Sequence, residues 1–237
     1  MTGSIANSMP QENHDVWIII PAYNEATSIG SVIEDLQANG YRNILVVNDG
    51  SRDHTSDAAT HAGAIVLEHL INRGQGAALR TGINFIAEQY KPKVIVTFDA
   101  DGQHIASDIP KLTAPILGES YDIVLGSRFL EGKGTVPVLR RIVLKFGIIF
   151  TNTISRIRLT DTHNGLRALG ENAYNLIQIQ HRGMEHASEI IDEISRHQLR
   201  YSECPVTIIF SDYSKQKGQK TGNFIRIALK MILKKLL

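Results

Sequence analysis

"VIVTFDADGQH", Val94 to His104, decides how the chain is read. A β-branched run ending in Phe98 passes directly into two carboxylates one residue apart, Asp99 and Asp101, and then into Gly102. In extended backbone residues i and i+2 face the same way, so Asp99 and Asp101 point together, with Gln103 next on that side. Alone, Asp-x-Asp-Gly is an ordinary strand-ending turn. Its meaning depends on what the other strands end in.

Four more short runs, "VWIII", "NILVVN", "AIVLEH" and "DIVLG", alternate with amphipathic stretches. This alternation predicts an α/β fold with a mostly parallel central sheet and helices on both faces. Ile29, Val32, Ile33 and Leu36 form one helical stripe, with Gly40 as its stop, and Gly63 closes the next helix. In such sheets ligands bind beyond the carboxyl ends of the strands. "PAYNE" follows the first strand and supplies Pro21, Tyr23 and Glu25; Asp49 follows the second, Asp99 and Asp101 the fourth, and Arg128 the fifth. Acids gathered at one edge repel one another, and a cation relieves that repulsion. Mg2+ or Mn2+ suits them, because both take oxygen ligands and Mg2+ commonly accepts one or two carboxylates with water and phosphate.

"NRGQGAALRTG", Asn72 to Gly82, fits neither the dinucleotide nor the P-loop template. Two readings stay open: backbone N–H groups at a helix start meeting phosphate beside Arg73, or a tight strand-to-helix connection.

The bulk composition is that of one soluble body over 16–212, between a flexible N-terminal arm, 1–15, and a C-terminal tail, 213–237. Of 25 basic and 24 acidic residues, seven basic and no acidic ones fall in the tail, leaving 18 and 24 before it. No nucleic-acid partner is expected for so acidic a body. The start lacks the features of a secretory signal, and no uncharged apolar stretch reaches the roughly 18 residues of a membrane span. Cys204 is the one cysteine and is expected to be a small buried residue.

In the tail, Arg226, Lys230 and Lys234 recur every fourth residue opposite apolar positions, an amphipathic pattern. The 14 residues from Phe224 would span about 21 Å as a helix, short of the ~30 Å hydrocarbon core. Lying on an anionic bilayer, four cations would contribute up to ~4 kcal/mol. The other occupant considered for this helix is the body itself, a second copy of the chain or a membrane-protein partner.

The motifs "IIIPAYNEA", "VVNDGS", "NRGQGAALRTG", "FDADGQH", "GSRF" and "TDTHNGLRAL" stand in the order and spacing of the family 2 glycosyltransferases of the dolichol-phosphate mannosyltransferase type, which the chain resembles over about 16–210. The resemblance implies an A-type glycosyltransferase fold and inverting transfer of one sugar from a nucleotide diphosphate sugar to a polyprenyl phosphate. By position it assigns Pro21, Tyr23, Glu25, Asp49, Arg73, Asp99 and Arg167 to the donor. Asp99, Asp101 and Gln103 would hold the metal, Arg128 with Arg140 or Arg141 the lipid phosphate, and Asp101, Arg128 and Asp161 would serve catalysis. The expected location is cytoplasmic, peripheral on the cytoplasmic face of the membrane.

Two departures stand out. Gln75 occupies the place of a usual lysine, and Leu144 or Lys145 the place of a serine one turn after the acceptor arginine. Trp17 is the one tryptophan, so the Gln-x-x-Arg-Trp motif of processive synthases is absent. The alternatives are a family 2 transferase acting on a glycan or soluble hydroxyl, with Asp161 as base, and an inactive nucleotide-sugar-binding scaffold recruited to membranes by its tail.

Overall fold

A computed structural model describes residues 15–130, 157–162 and 164–209. The arm, the tail, Arg140 and Arg141 lie outside these residues.

Seven strands form one sheet in the order β3-β2-β1-β4-β6-β5-β7. They are β1 (Val16–Ala22), β2 (Ile44–Asn48), β3 (Ile65–Glu68), β4 (Val94–Thr97), β5 (Ile123–Ser127), β6 (Arg167–Gly170) and β7 (Tyr201–Pro205). The helices are α1 (Ile29–Ala38), α2 (Thr55–His61), α3 (Gln75–Gln89), α4 (Ile109–Leu117), α5 (Glu171–Leu176) and α6 (His186–Arg196). β1 is apolar throughout and β2 up to its last residue, Asn48, and both are buried on both faces, as a sheet sandwiched between helices requires. Alternation along β1 divides the core. Ile18 and Ile20 pack with α1, α2 and α4 on one face, while Trp17 and Ile19 pack with α3, α5 and α6 on the other.

The expected helix stops hold: Gly40 and Gly63, with φ of 87° and 89°, follow α1 and α2 in the left-handed region that favours glycine. The mostly parallel sheet also holds, with one strand reversed. β6 lies between β4 and β5 and is antiparallel to both. Its reversal matters for the site. Because β6 runs backwards, its first residue lies at the edge where the parallel strands end, and Arg167 pairs with Thr97 at the end of β4. Thr97 Oγ1 donates to the Gly165 carbonyl at 2.6 Å and ties that turn to β4.

Candidate active site

The strand ends enclose a cavity of about 390 Å³, a volume typical of small-molecule sites. Pro21, Tyr23, Glu25, Asp49, Asp99, Asp101 and Arg167 all line it. Four carboxylates thus face one guanidinium. Tyr23 stands at the mouth, 42% exposed.

Asp99 and Asp101 share a turn but differ in environment. Burial opposes charge on Asp99, yet the hydrogen bond and charge of His104, with Arg167 and His186 nearby, hold its carboxyl below the usual range. Its oxygens accept from His104 Nε2 at 3.0 Å and Gln75 Nε2 at 3.1 Å. Gly165 makes this fit possible, since a Cβ there would come within 2.2 Å of Asp99 Oδ2. Asp101 is pushed upward, first by burial and then by Asp99, with Glu25 adding to it. Its Oδ1 accepts the Gln103 backbone N–H at 3.0 Å. One acid is therefore held ionised by the protein, while its neighbour is left in need of a cation.

Among the described residues no group of three or more His, Cys, Asp or Glu is arranged to hold a metal. Asp101 nevertheless fits a divalent ion that takes one or two carboxylates and fills its remaining positions with phosphate and water. Gln103 serves the turn through its backbone: its N–H caps Asp101 and its carbonyl accepts from Ile209. Its side chain is not among the groups lining the cavity.

Arg167 is buried, and that burial depresses its pKa to about 10 against the favourable charges of Asp99 and Asp161. Its Nη1 has no hydrogen-bond partner. An unpaired donor on a buried guanidinium that lines a cavity is a position for an anionic ligand. His186 also lines the cavity. Burial and Arg167 lower it to about 4, so the ring is neutral near pH 7, and its Nδ1 donates to the Gly183 carbonyl at 2.8 Å.

The structure decides between the two readings of the glycine loop. Four of its N–H groups are already engaged. Those of Arg73 and Gly74 donate to the Asp49 carboxylate at 2.9 and 2.7 Å, and those of Gly76 and Ala77 to the Arg182 carbonyl at 2.8 and 3.2 Å. These bonds make the loop a tight connection, the second of the two readings. The Arg73 side chain is exposed and is not among the residues that line the cavity. The Asp49 oxygens hold Arg73, Gly74 and the buried His69, whose Nδ1 lies at 2.7 Å. Asp49 is at the cavity wall, and it shapes that wall.

Arg128 and Asp161 are not among the residues that line the cavity. Arg128 Nε donates to Asp161 Oδ2 at 2.6 Å and Nη2 to Oδ1 at 2.8 Å, a bidentate pair. Burial opposes the Arg128 charge, but Asp161 more than compensates and raises its pKa. Beside His186, Met184 and Ala187 of the segment 182–187 join the wall, and sequence reasoning missed these two. Glycines carried the signal. A Cβ on Gly74 would lie 2.3 Å from the Arg182 carbonyl oxygen, and one on Gly76 2.2 Å from that of His181.

The pattern of the family described as Glycosyl transferase family 2 matches residues 17–174. The chain belongs to glycosyl transferase family 2. An uncharacterised protein of Methanocaldococcus jannaschii is 39% identical over 227 residues, covering 94% of this chain and 93% of its own. A UDP-N-acetylglucosamine–dolichyl-phosphate N-acetylglucosaminyltransferase of Methanococcus voltae is 30% identical, with coverage of 93% and 96%. The undecaprenyl-phosphate mannosyltransferase of Micrococcus luteus is 30% identical, with 85% and 86% covered. Among solved structures, glucosyl-3-phosphoglycerate synthase from Mycobacterium tuberculosis, crystallised with Mn2+, UDP and glucosyl-3-phosphoglycerate, superposes with a TM-score of 0.66 at 19% identity, covering 92% of this chain and 77% of that one. That likeness establishes the expected A-type glycosyltransferase fold.

Proposed function

We propose that this glycosyltransferase moves one sugar from a nucleotide diphosphate sugar to a polyprenyl phosphate, with inversion at the anomeric carbon and dependence on Mg2+ or Mn2+. The observation that carries the reading is the charge of the cavity, where, among the described residues, Glu25, Asp49, Asp99 and Asp101 face Arg167 as the one lining cation. A diphosphate of the same sign enters such a space only with a cation. The relatives from Methanococcus voltae and Micrococcus luteus are named for transfer to dolichyl and undecaprenyl phosphate, which supports the acceptor class.

Asp101 would hold the metal, assisted by Asp99, and Arg167 would meet the diphosphate or sugar through Nη1. When bound, the metal neutralises charge developing on the departing nucleoside diphosphate. Tyr23 and Pro21 would form the wall beside the base. Arg128 would offer the acceptor phosphate the guanidinium edge that Asp161 does not occupy, with Arg140 or Arg141 completing the clamp. A phosphate monoester has a second pKa of about 6 and is already a nucleophile at neutral pH. The task left to the protein is alignment of that oxygen with the anomeric carbon.

A hydroxyl acceptor would instead require a general base. Asp161, expected to be the best candidate, accepts two N–H groups of one guanidinium, which makes it a poor proton acceptor. At the membrane the reading places the enzyme peripherally on the cytoplasmic face, held by its basic tail. Among the described residues no helix is long and apolar enough to cross a membrane.

The test supplies labelled UDP- and GDP-sugars, Mn2+ or Mg2+, and polyprenyl phosphate in vesicles. Label is expected in the organic phase, only with metal present. Label passing instead to soluble glycan hydroxyls would overturn the acceptor assignment.

A further inference from the structure

We propose that Glu203, on β7, is a positioning residue that sets the geometry of the acceptor clamp by holding the turn from which Asp161 grips Arg128. The inference rests on the polyprenyl-phosphate reading above and extends it to a residue outside every motif recognised in the sequence.

Glu203 pairs in register with Leu125, two residues before the end of β5. From there its carboxylate gathers one short turn. Thr160 N–H donates to Oε2 at 2.8 Å and to Oε1 at 2.9 Å, Thr160 Oγ1 to Oε1 at 3.0 Å, and Asp161 N–H to Oε1 at 3.0 Å. Thr160 Oγ1 also lies 2.6 Å from Ser127 Oγ, on the residue preceding Arg128. The Asp161 side chain, 1% exposed, then takes Arg128 through Nε and Nη2. Three segments distant in sequence are thus joined in series, from β7 through the 160–161 turn to the end of β5.

A carboxylate suits this place because it only accepts hydrogen bonds, and the three groups bonded to it, the N–H groups of Thr160 and Asp161 and the Thr160 hydroxyl, all donate. A glutamine would turn an NH2 group toward the Thr160 or Asp161 N–H. Glu203 does not line the cavity and touches neither Asp99 nor Asp101 through any hydrogen bond found. Its hydrogen bonds reach the site through the Thr160–Asp161 turn, whose carboxylate grips Arg128. Misplacing a guanidinium by ~1 Å is enough to lower turnover about a hundredfold.

The test uses the full chain, Glu203→Gln, with a short prenyl phosphate such as farnesyl phosphate as acceptor probe and UDP or GDP with Mn2+ as donor probe, both by calorimetry. Prenyl phosphate affinity is expected to fall at least tenfold, with nucleotide affinity within twofold of wild type. In an Arg128→Ala background the same change is expected to have less than a twofold further effect, a coupling that general loosening of β7 would not produce. If Glu203→Gln does not fold, Glu203→Asp, one methylene shorter, is expected to weaken prenyl phosphate at least threefold. Unchanged prenyl phosphate affinity in whichever variant folds, or full additivity with Arg128→Ala, overturns the role of Glu203 and leaves the acceptor reading standing. A wild-type chain that binds nucleotide but no prenyl phosphate overturns the acceptor reading itself, and the proposal with it.

Discussion

The two sides of the site treat charge in opposite ways. On the donor side, Asp101 is pushed upward by burial and by its acidic neighbours, and Arg167 keeps an unpaired buried nitrogen. On the acceptor side, Arg128 and Asp161 satisfy each other in a bidentate pair, and Glu203 fastens the turn that carries Asp161. The donor side is electrostatically incomplete until ligand arrives. The Arg128–Asp161 pair is satisfied beforehand. A site that must accept and release a metal–diphosphate unit gains from stored repulsion, whereas one that must align a nucleophilic oxygen gains from a clamp already fixed.

This contrast predicts opposite signs for two substitutions that each remove one acid. Asp161→Asn leaves the partly buried Arg128 without its counter-charge and should destabilise the fold by roughly 3 kcal/mol, the low end for a buried pair, read as a lower urea midpoint. Equal stability of that variant would break the comparison on the acceptor side.

Gly76→Ala comes next. Its Cβ would meet the His181 carbonyl at 2.2 Å and His186 Cβ at 2.9 Å, so a cost of about 1–3 kcal/mol is expected. Donor affinity should fall with it, because segment 182–187 forms part of the cavity wall. Thermal unfolding and nucleotide titration on the same sample would check both.

Asp101→Asn should act in the other direction. A carboxyl raised by folding binds more protons in the native state than in the unfolded chain between its two pKa values. Its contribution to stability is therefore present at low pH and lost as pH rises through the raised value. In chelator at neutral pH the variant should be more stable by about 1 kcal/mol, ~2–4 °C in Tm for a chain of this size. It should also show a flatter stability profile on acidification and lose the Tm rise that Mn2+ with nucleotide gives the wild type. A variant less stable than wild type in chelator would contradict the stored repulsion.

The smallest change sharpens the comparison. Gln75 donates to Asp99 as a neutral amide, where the resemblance leads one to expect lysine. Gln75→Lys would supply the missing cation and should raise nucleotide affinity in chelator roughly three- to tenfold, an effect of about 1 kcal/mol.

Much of this arrangement was legible in the chain because strand ends are marked by composition. β-branched runs followed by Glu25, Asp49, Asp99 and Asp101 located the donor side, and all four line one cavity. The roles of single residues were harder to read. Asp49 holds a loop through His69, Arg73 and Gly74, and nothing in "VVNDGS" tells a carboxylate facing ligand from one facing backbone. The reversal of β6 is equally silent in "RALG", although it brings Arg167 to the strand ends. Glu203 escaped notice because its partners, Thr160 and Asp161, lie more than forty residues away and meet it only once β5 and β7 are paired.

The central claim is that the donor enters as a metal complex held by Asp101. Calorimetric titration of UDP and GDP into the full chain, with Mn2+ and then with chelator, tests it most directly. The account predicts affinity at least a hundredfold higher with Mn2+, the gain disappearing in Asp101→Asn. Equal affinity in chelator for the nucleotide the protein binds, or a Mn2+ gain that survives in Asp101→Asn, would contradict it.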